Sequence, residues 1–299
     1  MLGYQSTRHI IMVEPADFQS NPQTLDTNSF QEEQPPNLQA VQECAIQEFR
    51  QFRDELVANG VFVTTIHGQK GCPDEVFCNN WVSTHGDGKF ITYPLLATNR
   101  AKERRDDVLR FLGGTYPKHI DLTHHEKADK FLESTGSIVM DRVNQVAYAA
   151  ISERTHPDVL DEWQKMLDVE VIPFRTHDHT GQPIYHTNVM MFIGSGYAGV
   201  CLSSIHRDDR KKVAETLGKT HEIIDLEMNQ LLHFCGNSLE VLGTDDKPYL
   251  AMSSAAYQGF YPEQIKAIEK YTNGVIHSEI ATIEAYGGGS ARCMLLEVF

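Results

Sequence analysis

The chain reads as an α/β protein assembled from ββαβ units. Three observations predict this. Short runs rich in β-branched and aromatic residues alternate with amphipathic runs along the whole sequence. Several strand-like runs come in adjacent pairs before the next helical run, which is not the rhythm of a doubly wound sheet. Gly, Asn and Pro punctuate the junctions.

The first helix is expected over 38–56, where Leu38, Val41, Ala45, Phe49, Phe52 and Leu56 recur at intervals of three and four and Asn59-Gly60 ends the pattern. A strand follows at 61–65, then Gly-, Pro- and Asn-rich sequence over 68–80. A strand at 89–93 precedes a helix at 99–112, closed by Gly113-Gly114. Further strands are expected at 137–150, 170–174, 189–193, 199–203, 239–242, 249–252, 275–278 and 293–298. Helices fall between them at 157–168, 207–218, 225–235 and 262–272. Two stretches, 15–36 and 175–183, lack clear elements, and long loops in a compact domain often serve as lids or site walls.

Composition narrows the function. Across 299 residues, 26 Lys+Arg face 41 Asp+Glu, a formal net charge of −15. Nucleic acid and anionic membrane surfaces both demand a cationic surplus that this chain lacks. No basic segment leads into an apolar run at Met1, so no secretory signal is expected and the mature chain should start near there. No window approaches the ~18–20 apolar residues that span a bilayer. Cys44, Cys72, Cys78, Cys201, Cys235 and Cys293 are scattered without a Cys-x-x-Cys pair, which suits a reducing cytoplasm and the role of small buried hydrophobes. Neither GxGxxG after a strand nor GxxxxGK[ST] occurs, so no nucleotide cofactor is expected. His177, Asp178, His179 and His186 form a loose cluster and His124-His125 another. Neither has the HExxH or Cys/His zinc spacing, and no metal is expected.

Cys293 stands apart from the other thiols. It follows Gly287-Gly288-Gly289-Ser290-Ala291-Arg292 and opens the last apolar strand, so flexible glycines would let a substrate approach a thiol at a strand mouth. A nucleophilic thiolate needs a partner such as His or a nearby cation. Candidates lie where short polar motifs interrupt apolar runs: Phe77-Cys78-Asn79-Asn80-Trp81, Leu132-Glu133-Ser134-Thr135-Gly136-Ser137, Ser152-Glu153-Arg154-Thr155 and His186-Thr187-Asn188.

In this order, with the Gly-rich approach to Cys293, these motifs resemble those of the guanidino-group modifying enzymes, the superfamily of arginine deiminases, dimethylarginine dimethylaminohydrolases and amidinotransferases. The resemblance spans nearly the whole chain. It implies a single amidinotransferase-like domain over 1–299, a five-bladed α/β propeller of ββαβ pseudo-repeats with the site in its central channel. It implies Cys293 as nucleophile, His186 as general acid and base, Glu133 as the carboxylate on the substrate's terminal nitrogens and Arg154 as partner of an α-carboxylate. It also implies a small-molecule substrate, no cofactor and no metal, and leaves room for a homo-oligomer.

Two departures bear on the substrate. Where arginine deiminases have Phe-x-Arg-Asp, this chain has Phe77-Cys78-Asn79-Asn80, and where they have His-x-Asp it has His186-Thr187-Asn188. Each removes a negative charge that would balance a guanidinium, whereas an amide donates as well as accepts. This shifts the expectation toward a ureido compound, citrulline first, as in the citrulline-hydrolysing branch. An arginine substrate stays open if Asp74, Asp87 or Asp141 supplies the lost charge. The expected function is a cysteine-dependent hydrolase of non-peptide C–N bonds. An arginine deiminase, an amidinotransferase and a non-catalytic propeller that only binds are the alternatives.

Overall fold

The computed structural model describes residues 4–34 and 37–299, and its strands sort into five three-stranded sheets. β1 (His9–Glu14) is followed by the helix Leu38–Ala58 and then by β2 (Phe62–His67), which lies parallel to it. β3 (Val82–His85) and β4 (Lys89–Thr92) form an antiparallel hairpin. The helix Asp106–Thr115 then returns the chain so that β5 (Lys118–Asp121) runs parallel to β4. The unit repeats as β6 (Val139–Asp141), β7 (Val146–Ala150), the helix Pro157–Leu167 and β8 (Glu170–Phe174). It repeats again as β9 (Met191–Ile193), β10 (Tyr197–Val200), the helix Arg207–Leu217 and β11 (Glu222–Asp225). A further copy is β12 (Leu239–Leu242), β13 (Pro248–Ser253), the helix Pro262–Glu269 and β14 (Val275–Ser278).

The first sheet has no preceding strand of its own. β15 (Leu296–Val298) fills that place, pairing antiparallel with β1 so that His9 faces Val298. All five sheets thus share one ββαβ topology, and the ends of the chain complete a single blade. The antiparallel first strands β15, β3, β6, β9 and β12 are the inner ones, with β15 against β3, β6 against β9, and β9 against β12. This is the five-bladed α/β propeller expected from the sequence.

The crossover helices pack their apolar stripes outside these sheets. Val41, Ala45, Phe49, Phe52 and Leu56 are buried as their spacing requires, although Leu38 at the helix start is exposed. Asn37 caps this helix by accepting from the Ala40 N–H. Of the six free cysteines, Cys44 lies on the exposed face of the helix and the other five are buried. Among the described residues no helix is long and apolar enough to cross a membrane.

The structure departs from the sequence reading mainly at the entrances to inner strands. The expected strand at 137–150 is a helical turn, Ser134–Ser137, followed by the β6–β7 hairpin. The strands expected at 189–193 and 293–298 likewise begin as turns, Thr187–Met190 and Ala291–Met294. The helix expected at 99–112 divides into a 3-10 segment, Thr98–Glu103, and the helix Asp106–Thr115. Arg100 and Glu103 turn inward as a buried pair, while Asp106 and Asp107 favour a fresh helix start. Gly113 and Gly114 sit inside this second helix, which stops at Tyr116 because Pro117 disfavours helical backbone before it. Over 225–235 only Met228–Leu231 is helical, since Phe234 adopts a φ of 57°.

Phe52 is fully buried beside Phe49 and Leu56 in one core cluster. Phe52→Ala should cost about 3–5 kcal/mol of unfolding free energy, read from the midpoint of a urea transition.

Candidate active site

Each inner strand is entered through a turn, and the residues singled out in the sequence occupy those turns. Asn80 ends the segment Cys78–Asn80 before β3, Glu133 caps the turn before β6, His186 caps the turn before β9, and Cys293 lies in the turn before β15. All four are at most 2% exposed. Glu133 and His186 are 53 residues apart, about one blade, so equivalent backbone positions bring them together on the propeller axis.

His186 Nε2 donates to Glu133 Oε2 at 2.8 Å, leaving Nδ1 as the basic nitrogen of a neutral ring. Glu133 Oε1 accepts the Leu96 N–H at 2.9 Å, and Arg154 approaches Oε2 at 3.6 Å. Both carboxylate oxygens are therefore engaged by protein, and Glu133 stands behind the imidazole. Burial opposes ionisation of Glu133, but the Arg154 guanidinium and the His186 hydrogen bond outweigh it and hold its pKa down to about 2. Burial of His186 wins over its bond to Glu133, and its pKa falls to about 4. Gly136 is required beside this pair, because a Cβ there would come within 2.7 Å of His186 Nδ1 and 2.6 Å of Asn80 Nδ2.

The Cys293 thiol is surrounded by amides. Asn237 Nδ2 donates to Sγ at 3.2 Å and Asn188 Nδ2 at 3.5 Å. The Cys293 N–H is shared between the Ser290 carbonyl at 3.0 Å and Asn237 Oδ1 at 3.4 Å. Sequence reasoning missed Asn237 because its flank, 225–235, reads as an ordinary helix. Its one signal was position, at the entrance to the inner strand β12. The glycines before Cys293 serve close packing: Gly288, with a φ of 64°, offers its carbonyl to Asn28 Nδ2 and to the Tyr185 hydroxyl.

A narrow cavity reaches the thiol, walled by Thr24, Asn28, Asp74, Asn80, Arg154 and His186 among others. Asn80 Oδ1 is consumed by Arg100, whose NH1 donates to it at 2.8 Å, and Arg100 is in turn held by both oxygens of Glu103. The orientation of the Asn80 amide is thereby fixed; one Nδ2 hydrogen goes to Asn79 Oδ1 at 2.9 Å, and the group left over is the second N–H. Asn188 touches the thiol but faces a second cavity with Thr135 and Arg292. Of the three acids held in reserve, Asp74 lines the substrate cavity, whereas Asp87 pairs with Lys89 and Asp141 holds Asn144 and lies beside His221.

Two buried polar atoms of residues on this cavity wall, Asp74 Oδ1 and Arg154 Nε, have no hydrogen-bond partner among the described residues. Arg154 otherwise donates to Thr27 Oγ1 and lies over the Tyr185 ring. Both structureless loops wall the site. Thr24 to Asn28 cover the cavity, and Asp178, Gln182 and Pro183 join them around an outer vestibule of about 490 Å³. Pro35 and Pro36 of the first loop lie outside the described residues. His186 belongs to the site, while His179 packs on Phe30 and Asp178 accepts from Ser29 and Thr180.

The profile of the eukaryotic N,N-dimethylarginine dimethylhydrolase family matches residues 14–299. The chain belongs to this family. It is thus a member of the guanidino-group modifying superfamily, whose coarse chemistry is cysteine-dependent hydrolysis at a guanidino-type carbon. No curated protein matches the chain in sequence. Among solved structures it is similar to the N-terminal domain of ArgZ covalently bound to a reaction intermediate, at 19% identity over 97% of each chain and a TM-score of 0.77. ArgZ is an arginine dihydrolase from the ornithine-ammonia cycle in cyanobacteria. AgrE in complex with L-arginine aligns over 97% of this chain and 40% of its own at 18% identity and a TM-score of 0.78. A dimethylarginine dimethylaminohydrolase adduct with a chloropyridine covers 97% and 99% at 16% identity and 0.67. At these identities the likeness establishes the fold.

The His186–Glu133 pair makes a pH prediction. An imidazole NMR titration should place His186 near 4, below its ordinary 6.5, and Glu133→Gln should lower it further by removing the carboxylate that favours the charged ring. The unfolded chain takes up this proton first, so the contribution of His186 to stability is complete above pH ~6.5 and is lost as pH falls toward the folded value.

Proposed function

We propose that the protein hydrolyses the ureido group of citrulline. The observation that carries this reading is the fixed amide of Asn80. With Oδ1 committed to Arg100 and one Nδ2 hydrogen to Asn79 Oδ1, the side chain has its second N–H left, which a ureido oxygen can accept and a guanidinium, all donor, cannot. The two unpartnered atoms support an α-amino acid: Asp74 Oδ1 is placed for an ammonium and Arg154 Nε for a carboxylate, and a zwitterionic head satisfies both at once. Burial raises the Asp74 pKa, and a bound ammonium would hold it ionised.

The chemistry follows from Cys293, His186 and Glu133. His186 Nδ1 takes the thiol proton, the thiolate adds to the ureido carbon, and the leaving nitrogen departs with the proton returned by His186. This leaves a thiocarbamate on Cys293. His186 next deprotonates water, hydroxide adds to the same carbon, and the thiolate is expelled and reprotonated. Carbamic acid decomposes to ammonia and carbon dioxide, with ornithine as the amino-acid product. Glu133 keeps the imidazole in the tautomer this cycle needs, a role different from gripping substrate nitrogens. One propeller domain over 1–299 suffices, without cofactor or metal. Free thiols throughout the chain suit a cytoplasmic protein.

A guanidino substrate is the second reading. Asp74 favours it, because its free oxygen adds a second acid to the cavity that could face a guanidinium instead of an ammonium. A side-by-side assay of citrulline, arginine and dimethylarginine with purified protein separates the two, following ornithine and ammonia. Citrulline should be preferred; a clear preference for either guanidino compound would return the protein to the deiminase or dimethylarginine reading. Cys293→Ala should abolish turnover. Asn80→Asp should weaken citrulline use because a carboxylate repels the ureido oxygen, and Asn188→Asp should weaken it by setting a carboxylate beside the Cys293 sulfur.

Arg154→Ala should raise KM for α-amino acid substrates more than it lowers kcat, and should affect a decarboxylated analogue much less. Equal losses for both compounds would show that Arg154 does not bind the α-carboxylate.

A further inference from the structure

We infer that Asn237 is a catalytic residue, whose side-chain amide donates to the Cys293 sulfur and stabilises its thiolate for attack. The inference rests on Cys293 being the nucleophile, and three observations carry it.

The first is direct contact with the reacting atom. Asn237 Nδ2 lies 3.2 Å from Sγ, nearer than the 3.5 Å of Asn188 Nδ2, and the Asn237 side chain is fully buried. A hydrogen bond to an ionised acceptor is stronger than one to a neutral acceptor, so this donor favours thiolate over thiol.

The second is that the amide can point only one way. Nδ2 also donates to the Asn188 carbonyl at 3.0 Å, and Oδ1 accepts the Cys293 N–H at 3.4 Å. Reversing the amide would set oxygen against oxygen at Asn188 and nitrogen against N–H at Cys293. The two hydrogens of Nδ2 are thus divided between a carbonyl, which fixes the side chain, and the sulfur, which receives what remains.

The third is position in the repeat. Asn80, Glu133, His186 and Cys293 each enter an inner strand, and Asn237 enters the fifth, 56 residues before Cys293. Every blade therefore sends a polar residue to the axis from the segment that enters its inner strand, Glu133 and His186 from the start of the turn and Asn80, Asn237 and Cys293 from nearer the strand. The turn that does so here is tight: a Cβ on Gly236 would fall 2.3 Å from the Val189 carbonyl oxygen. His186 takes the thiol proton, and the amide donors at Sγ hold the charge that this leaves on sulfur.

The test is the pH profile of thiolate formation, followed by iodoacetamide alkylation rate and 240 nm absorbance in the full chain, with the labelled cysteine mapped by mass spectrometry. Neither readout needs a substrate. Relative to wild type, Asn237→Ala should lower the thiolate fraction at pH 7 about tenfold, an upward shift of about one pH unit in the alkylation profile. Asn237→Leu keeps much of the side-chain volume and removes the donor without adding a charge, so it should shift the profile up as far. If Asn237 only braces the turn, these variants will lose thermal stability while the profile of Cys293 stays in place, and the proposal is wrong. Should Asn237→Ala fail to fold, Asn237→Leu alone decides. Label on a cysteine other than 293 in wild type would overturn the nucleophile reading together with this inference, whereas an unmoved profile at Cys293 overturns this inference alone.

Discussion

The antiparallel pairing of β15 with β1 is the constraint on which the site depends. Four blades take all three strands from consecutive chain, but the first takes its inner strand from the other end. Side chains reinforce the ladder: the Thr7 hydroxyl donates to the Val298 carbonyl, the Thr84 hydroxyl donates to the Glu297 carbonyl, and the Thr84 oxygen also accepts the Phe299 N–H. Because β15 begins directly after the turn that holds Cys293, the register of this pairing sets where the thiol stands relative to the other four turns. A slip by one residue would reverse every side chain of the strand between faces.

Around the axis the protein buries an unusual density of charge. Arg100 is matched by Glu103 through two hydrogen bonds and capped by backbone carbonyls of Asp74 and Phe77. Glu133 is matched by Arg154, His186 and a backbone N–H. Buried ions are tolerated only when their partners are in place, because the cost of desolvation is large and the interior magnifies both attraction and repulsion. Within this closely matched set, the unpartnered atoms Asp74 Oδ1 and Arg154 Nε face the cavity. Their desolvation is a cost that no group in this set offsets.

Legibility in the sequence followed the periodicity. The helix expected at 38–56, observed as Leu38–Ala58, and the strands at 170–174, 239–242 and 275–278 could be read directly, because each presents one unbroken pattern to one apolar neighbour. The single turns before the inner strands could not. Ser134 to Ser137 and Thr187 to Met190 are too short to show a period, and they merge into apolar residues that read as strand. Four of the residues assigned to the axis were nonetheless legible as polar interruptions, through the motifs they share with a known superfamily. Asn237 has the same placement but no such motif, and Asp74 was visible only as one of three spare acids. What the sequence could not express was the division of labour between atoms: that Glu133 spends both oxygens on protein, or that Asn80 spends its oxygen on Arg100.

That division gives substitution at one repeat position a chemical meaning. The five segments that enter the inner strands supply Asn, Glu, His, Asn and Cys to the axis, the Glu and His as caps of their turns and the others nearer the strand. A carboxylate in the first niche would accept from Arg100 with one oxygen and still present an acceptor with the other. Asn80 spends its acceptor on the same arginine and presents a donor. The sign of the polarity left at this position therefore reverses through one atom while the Arg100–Glu103 scaffold behind it is unchanged. A propeller whose blades contribute single residues to a shared axis can in this way exchange a cationic substrate for a neutral one without rebuilding a wall of the site.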